Sequence, residues 1–335
     1  MAAALYRRRA GPKRLEIAWR PADNMAMSTF RGRVRLLRLP LFVTAVADAA
    51  AGYTVALLSV GNLAAFDWGL VGVIAGTSTG LYLFGMVEND LVDVSRDRLL
   101  GAARPLVTGE AGVGTAVFFL VLTLVLAGAC TLYLPGPAIL LAIATFAAIN
   151  FYNMGGKRGP AYVAMIVMGL CRLLNFGIGV AAAVGIPRGR IDWELLLPTG
   201  PLWIRHGLVL FFAAAMVTGY SIASRRGYRV SSRPWQAVLV LTLVGGVGLW
   251  VCAPMLASLA QVPGDGSVGA GVHVVPPLAR VLALLVLVAL WPGRLWSAAG
   301  PERKPAEYSP FIERTLYWLI LLDVAFVLDG LLMQG

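Results

Sequence analysis

Carboxylates are scarce in this sequence. Its 335 residues hold only 17 Asp and Glu against 28 Lys and Arg, and between Glu194 and Asp265 there is no acidic residue at all. Charge of either sign is low, at 13%, beside a hydrophobic content of 59% and a mean hydropathy of +0.77. That balance excludes a soluble domain. The three cysteines, Cys130, Cys171 and Cys252, are isolated in apolar segments, so neither a disulfide framework nor a cysteine metal site is spaced out here. No apolar stretch precedes Leu36, and the arginine-rich start therefore does not read as a cleaved signal peptide.

What the chain has in abundance is apolar runs, many long enough to cross a hydrocarbon core of about 30 Å. They predict helices over 39–60, 69–92, 112–134, 137–153, 160–185, 205–224, 235–261, 276–292 and 314–333, broken by "LPGP", "LPTGP" and "QVPGDGSVGAG". The expected fold is all-α: a polytopic bundle of nine transmembrane helices over residues 37–335, after a basic, poorly ordered extension over 1–36. With the N-terminus in the cytoplasm, Arg188, Arg190 and Arg205 alone fall outside and Arg172 and Arg280 fall within helices; every other Lys and Arg lies inside. This is the positive-inside asymmetry. It accounts for the net charge of +11 without nucleic acid, and the basic tail that includes Arg31, Arg33, Arg35 and Arg38 is expected to meet anionic lipid. His206 and His273 fall on the outer side.

Against this scarcity, "ENDLVDVSRD" (88–97) concentrates four acids within ten positions. On a helix Asp90, Asp93 and Asp97 share one face, within about 60° of one another. Three carboxylates so placed repel and ask for a cation. Oxygen ligands with no nearby His or Cys suit Mg²⁺, which keeps waters and shares phosphate oxygens, so a phosphorylated substrate is expected. Arg104 is placed to take phosphate oxygens as a fork. The plainer alternative is a solvated helix end on which Arg96 and Arg98 pair off the acids. Because the cluster ends a helix otherwise free of charge, the site reading is preferred.

The string "NDLVDVSRDRLLGAARPL" resembles the N-D-x-x-D-x-x-x-D…R-P-L signature of the UbiA superfamily of intramembrane prenyltransferases, with Asn89, Asp90, Asp93, Asp97, Arg104 and Pro105 all coinciding. The resemblance covers roughly residues 36–333. It implies a helical bundle around a cavity, an isoprenyl diphosphate held through Mg²⁺ at the cytoplasmic end, ionisation of the allylic C–O bond, and capture by a small aromatic or lipophilic acceptor. That family normally carries a second acidic motif after its sixth helix. Here "GYSIASRRGYRVSSRP" (219–234) stands in that place, and Arg225, Arg226, Arg229 and Arg233 serve either as replacements for the second metal or as inside anchors. "RLPLFVTAVADAAAG", "GPAYVAMIVMGLCRLLNFGIG" and "SIASRRGYRV" resemble the EboC-type branch. This implies an alternative, a membrane protein that binds or transports an isoprenoid or a metabolite precursor.

Asp48 in the first predicted helix and Arg172 in the fifth carry charge at mid-membrane depth. Unpaired, each costs about 2.5–3.5 kcal/mol on insertion scales, so they are expected to pair or to face a wet cavity. Arg172, Asn175 and Gly179 fall on one small, polar helix face. Lys157 and Arg158 precede the fifth helix as phosphate contacts or anchors, beside Tyr152 and Asn153. Tyr220 and Ser221 are placed to reach a headgroup. Asp323 lies mid-membrane with no partner visible in the sequence. "GTSTG" (76–80) matches a nucleophile elbow by letters, but Gly72, Gly76 and Gly80 make a ladder suited to close helix packing.

Overall fold

The computed structural model describes residues 30–59, 61–99 and 101–185, with shorter helical runs at 206–215, 217–219, 221–222, 319–321 and 323–328, and residue 331. Among these residues every regular element is a helix. In chain order they are α1 (Phe30–Leu37), α2 (Leu39–Ser59), a 3₁₀ turn (Leu63–Ala65), α3 (Trp68–Leu99), α4 (Pro105–Thr108), α5 (Val113–Thr131), α6 (Gly136–Met154), a second 3₁₀ turn (Gly156–Arg158) and α7 (Ala161–Gly185). Helical residues continue within His206–Gly219 and Leu319–Leu328. The predicted spans 235–261 and 276–292 lie outside the described residues.

Among the described residues five helices, the first running from Phe30 to Ser59, are long and apolar enough to cross a membrane. Their bounds match the hydropathy reading within a few residues, with two departures. The second span was expected to end at 92, yet α3 continues to Leu99, over 32 residues. At 1.5 Å per residue that is about 48 Å, well beyond the hydrocarbon core. Its last turns carry the acidic cluster and stay helical because Leu91 and Val94 pack against an apolar cluster of Leu36, Leu37, Leu83, Val87, Leu106, Ala111 and Ala116. The second departure is α1, which begins inside the stretch assigned to the basic extension.

The main core lies where α2, α3 and α7 meet, and it includes Ala49, Tyr53, Val55, Ile74, Phe176, Ile178, Leu210, Leu319 and Phe326. The helices that pack most extensively are α3 with α5, α2 with α7, and α6 with α7. Glycines set two of these approaches. A Cβ on Gly179 would collide with the Ala49 carbonyl and the Tyr53 amide, and one on Gly52 with the Phe176 carbonyl, so α2 and α7 cross backbone to backbone. Likewise Gly76 and Gly80 press against Cys130 and Ala127 of α5, whereas Gly72 faces open space. The ladder expected over 72–80 is thus a packing device at two of its three rungs. On the opposite side α5 and α6 leave large apolar side chains uncovered, among them Phe118 at 61% and Leu140 at 64% exposure. Such faces suit lipid rather than water.

Candidate functional site

The end of α3 is where charge gathers, and local geometry explains how. The α3 helix leads into a turn at Gly101, which adopts a left-handed φ of 62°. The chain then reverses through Arg104 in an extended conformation, with Pro105 starting α4. A proline there supplies a preset φ and loses no helical hydrogen bond. Leu106 plugs into the cluster around Leu36 and Val87, and the Arg104 guanidinium is thereby turned back onto α3. The R-P-L string is a device for aiming that arginine.

Four cations converge on the acids. Arg104 donates from NH1 to Asp90 Oδ1 at 3.3 Å, and its Nε lies 3.6 Å from Asp97 Oδ2. Arg38 reaches the same Asp90 Oδ1 at 3.2 Å. From the link between α6 and α7, Lys157 Nζ lies 2.7 Å from Asp93 Oδ2 and donates to Asn89 Oδ1 at 2.7 Å. Arg158 NH2 stands 3.7 Å from Asp93 Oδ1. The Asp90 and Asp93 side chains are 1% and 8% exposed; the Lys157–Asp93 pair is buried on both sides, so its contact counts for more than at a surface, while the half-exposed Arg158 is screened by water. One turn back, buried Glu88 accepts from Asn153 Nδ2 at 2.8 Å; the same amide donates to the Gly85 carbonyl at 2.9 Å.

Arg38 is held there by unusual means. It joins α1 to α2 at a left-handed φ of 49°, a conformation that costs a non-glycine residue roughly 1–2 kcal/mol. What holds it in place is α1 itself, anchored by Arg35, whose NH1 donates to both carboxylate oxygens of Glu110 at 2.6 and 2.7 Å and whose NH2 donates to the Ala103 carbonyl at 2.8 Å.

The joint three-carboxylate site expected from helical spacing is not assembled. Among the described residues no group of three or more His, Cys, Asp or Glu side chains forms a metal cage, because the cations divide the acids between them. The donor set nevertheless fits Mg²⁺, which takes one or two carboxylates and completes its shell with water and phosphate oxygens. Asp90 Oδ2 and Asp93 Oδ1 are buried carboxylate oxygens with no hydrogen-bond partner.

A second polar layer lies deeper. Asp48 and Arg172 do pair: NH1 donates to Asp48 Oδ2 at 2.5 Å, and NH2 donates to Thr44 Oγ1 at 2.8 Å. Asn175 donates to the Ala45 carbonyl at 2.7 Å and accepts from Ser78 Oγ at 2.8 Å. The small face of Arg172, Asn175 and Gly179 is therefore turned toward α2 and α3 and satisfied within the protein. Asp323, which had no partner in the sequence, is buried at 3% exposure, in the helical run whose Phe326 ring packs edge-on to Phe176 of α7 with centroids 6.5 Å apart.

The structure thus brings Asn89, Asp90, Asp93, Asp97, Arg104, Lys157 and Arg158 together, and sets Asp48, Arg172 and Asn175 apart from them. Tyr220, Arg225, Arg226, Arg229 and Arg233 lie outside the described residues. Arg38 was missed as a site residue because it sat among many arginines assigned to lipid; its position directly before the first apolar run was the available signal. The buried Glu88–Asn153 contact gave no signal, its partners being far apart in sequence.

No family model and no curated protein matches the chain in sequence. Solved structures match it in fold. A UbiA homologue from Archaeoglobus fulgidus bound to GPP and Mg²⁺ superposes with a TM-score of 0.58 at 17% identity, covering 89% of this chain and 99% of that one. An apo UbiA homologue from Aeropyrum pernix K1 gives 0.59 at 17% identity, covering 87% and 97%. A digeranylgeranylglyceryl phosphate synthase structure gives 0.57 at 17% identity, covering 90% and 98%. The chain has the UbiA membrane fold.

Proposed function

We propose that this chain is a Mg²⁺-dependent membrane prenyltransferase that moves an isoprenyl group from an isoprenyl diphosphate to a small aromatic or lipophilic acceptor. One observation carries the reading. At the end of a membrane-spanning helix, Asp90 and Asp93 are buried, each with one carboxylate oxygen lacking a hydrogen-bond partner, and both stand within a ring of Arg38, Arg104, Lys157 and Arg158. The likeness to a homologue holding GPP and Mg²⁺ supports it.

In this reading Asp90 and Asp93 hold the metal, with Asn89 and Asp97 beside them. Bound Mg²⁺ would supply Lewis-acid charge to the diphosphate oxygens. The chain's own part is to present cations that are already converged. Arg104 and Arg38 on one side and Lys157 and Arg158 on the other pair with the acids here, and they would turn to the departing diphosphate as Mg²⁺ takes the carboxylates. The second acidic motif of the family is absent, and Arg225 and Arg226 take its place by contacting phosphate directly. The N-terminus and the acidic end of α3 face the cytoplasm, the C-terminus faces outward, and the membrane is a bacterial inner membrane.

A second reading has its own observation. With no carboxylate between Glu194 and Asp265, an EboC-like protein that binds or carries an isoprenoid or precursor without cleaving it is also consistent with the sequence. Diphosphate release from a panel of isoprenyl diphosphates, with and without Mg²⁺, separates the two. Release that needs Mg²⁺ and disappears in Asp90→Asn is the expected result; binding without release selects the second reading, and neither binding nor release refutes both.

A further inference from the structure

The tie that holds α1 down reaches further than Arg38. Arg35 NH1 donates to both carboxylate oxygens of Glu110 at 2.6 and 2.7 Å, and its NH2 donates to the Ala103 carbonyl at 2.8 Å. Ala103 stands just before Arg104, and Glu110 stands just beyond α4, which ends at Thr108. A single guanidinium therefore grips both ends of the turn that carries Arg104. The backbones meet as well, for a Cβ on Gly32 would collide with the Glu110 carbonyl. Beneath them Leu36 and Leu37 share an apolar cluster with Leu106 and Ala111.

Two arginines converge on one oxygen as a result. Arg38 reaches Asp90 Oδ1 at 3.2 Å from the end of α1, and Arg104 reaches it at 3.3 Å from the turn. Neither is held there by its own backbone. Arg38 has a left-handed φ of 49°, a conformation that persists only when its surroundings over-determine it. In a right-handed conformation it would fuse α1 and α2 into one helix and rotate its side chain off Asp90. Arg104 is extended, and the four residues of α4 that follow it are too few to be stable alone. The apolar cluster keeps the two segments in contact, and the ion pair fixes their rotation. Arg35 and Glu110 are 38% and 30% exposed, so water screens their attraction and they add little to global stability. What the paired oxygens supply is direction.

We propose that Arg35 and Glu110 are positioning residues of the diphosphate site: without touching phosphate, their ion pair holds Arg38 and Arg104 together and so sets the affinity for the diphosphate. The role rests on the diphosphate reading of the Asp90 site. It implies an inverted ranking. Loss of Arg35 disturbs two phosphate-facing arginines, whereas loss of Arg38 removes one.

The test is calorimetric titration of geranyl thiolodiphosphate into the full-length protein in nanodiscs at fixed Mg²⁺, with the melting temperature measured alongside. Arg35→Gln should weaken binding about 10- to 100-fold, the worth of a charge-assisted contact, and no less than Arg38→Ala does. Its melting temperature should stay near that of the wild type, and Glu110→Gln should behave in the same way. Because Arg35 acts through Arg38, the two substitutions together should cost less than the product of the single losses. A full product would give Arg35 a phosphate contact of its own and overturn the positioning role. Wild-type affinity in both Arg35→Gln and Glu110→Gln overturns it too. So does an affinity that falls only as the melting temperature falls, or failure of both variants to fold, since either marks the pair as structural. A wild type that binds no geranyl thiolodiphosphate refutes the diphosphate reading itself, and the positioning role falls with it.

Discussion

Removing either partner of the Asp48–Arg172 pair should destabilise the bundle, but by unequal amounts. Arg172→Met takes away the guanidinium paired with the buried Asp48, together with the donors to Asp48 Oδ2 and Thr44 Oγ1. Among the described residues nothing at that depth replaces them. Leaving buried charge uncompensated costs about 3–5 kcal/mol. Asp48→Asn is milder, because the asparagine oxygen still accepts from Arg172, which leaves about 1–3 kcal/mol for the weakened bond and imperfect neutralisation. A methionine is long enough to fill most of the guanidinium's space, so the difference is electrostatic rather than a cavity effect. Equilibrium unfolding in mixed dodecyl sulfate and neutral-detergent micelles reads both values. Equal costs, or a larger cost for Asp48→Asn, would show that the retained acceptor does not offset the lost charge and would refute the reasoning.

Gly179→Ala should destabilise by about 1–3 kcal/mol, because its new methyl meets backbone atoms of α2 that cannot move aside, whereas Gly72→Ala, with open space around it, should be neutral or gain up to about 1 kcal/mol; the same unfolding assay compares them. Lys157→Ala and Arg38→Ala should each weaken a non-hydrolysable isoprenyl diphosphate analogue by about 1.5–3 kcal/mol at fixed Mg²⁺, and so should Arg226→Ala if the basic loop replaces the second metal; wild-type affinity in titration calorimetry throughout would remove the cation ring from the site. In a background without the native cysteines, Val268→Cys should react with an impermeant reagent added outside and Leu100→Cys should not, and the reverse pattern would invert the topology.

How much of this could be read from the chain alone differs from residue to residue. The limits of α2, α5, α6 and α7 were legible because hydropathy reports the thickness of hydrocarbon directly. The continuation of α3 past residue 92 was not, because charged residues conceal a helix whose Leu91 and Val94 still have apolar neighbours to meet. Asp90, Asp93, Asp97 and Arg104 were legible as one constellation, since periodicity and a short loop relate them locally. Their partition among four cations was not, because Lys157 and Arg38 reach them over 52 residues or more, and no local pattern encodes a contact at that separation. For the same reason two charges at membrane depth announced a pair, while the burial of Asp323, in the distant run Leu319–Leu328, had no local pattern to announce it.

The length of α3 has a consequence for the bilayer itself. From Trp68 to Val87 the helix rises about 30 Å, one hydrocarbon thickness, and Asp90 follows within a single turn. Anchor and ligand-holder are thus one rigid rod, and the rod acts as a depth gauge. Tilting it, or settling it in a thicker membrane, draws its carboxylates and their four cations toward the oily layer, while a thinner membrane lifts them into water. Acyl-chain length in the surrounding lipid then becomes a variable of the site, as direct in its effect as a substitution beside Asp90.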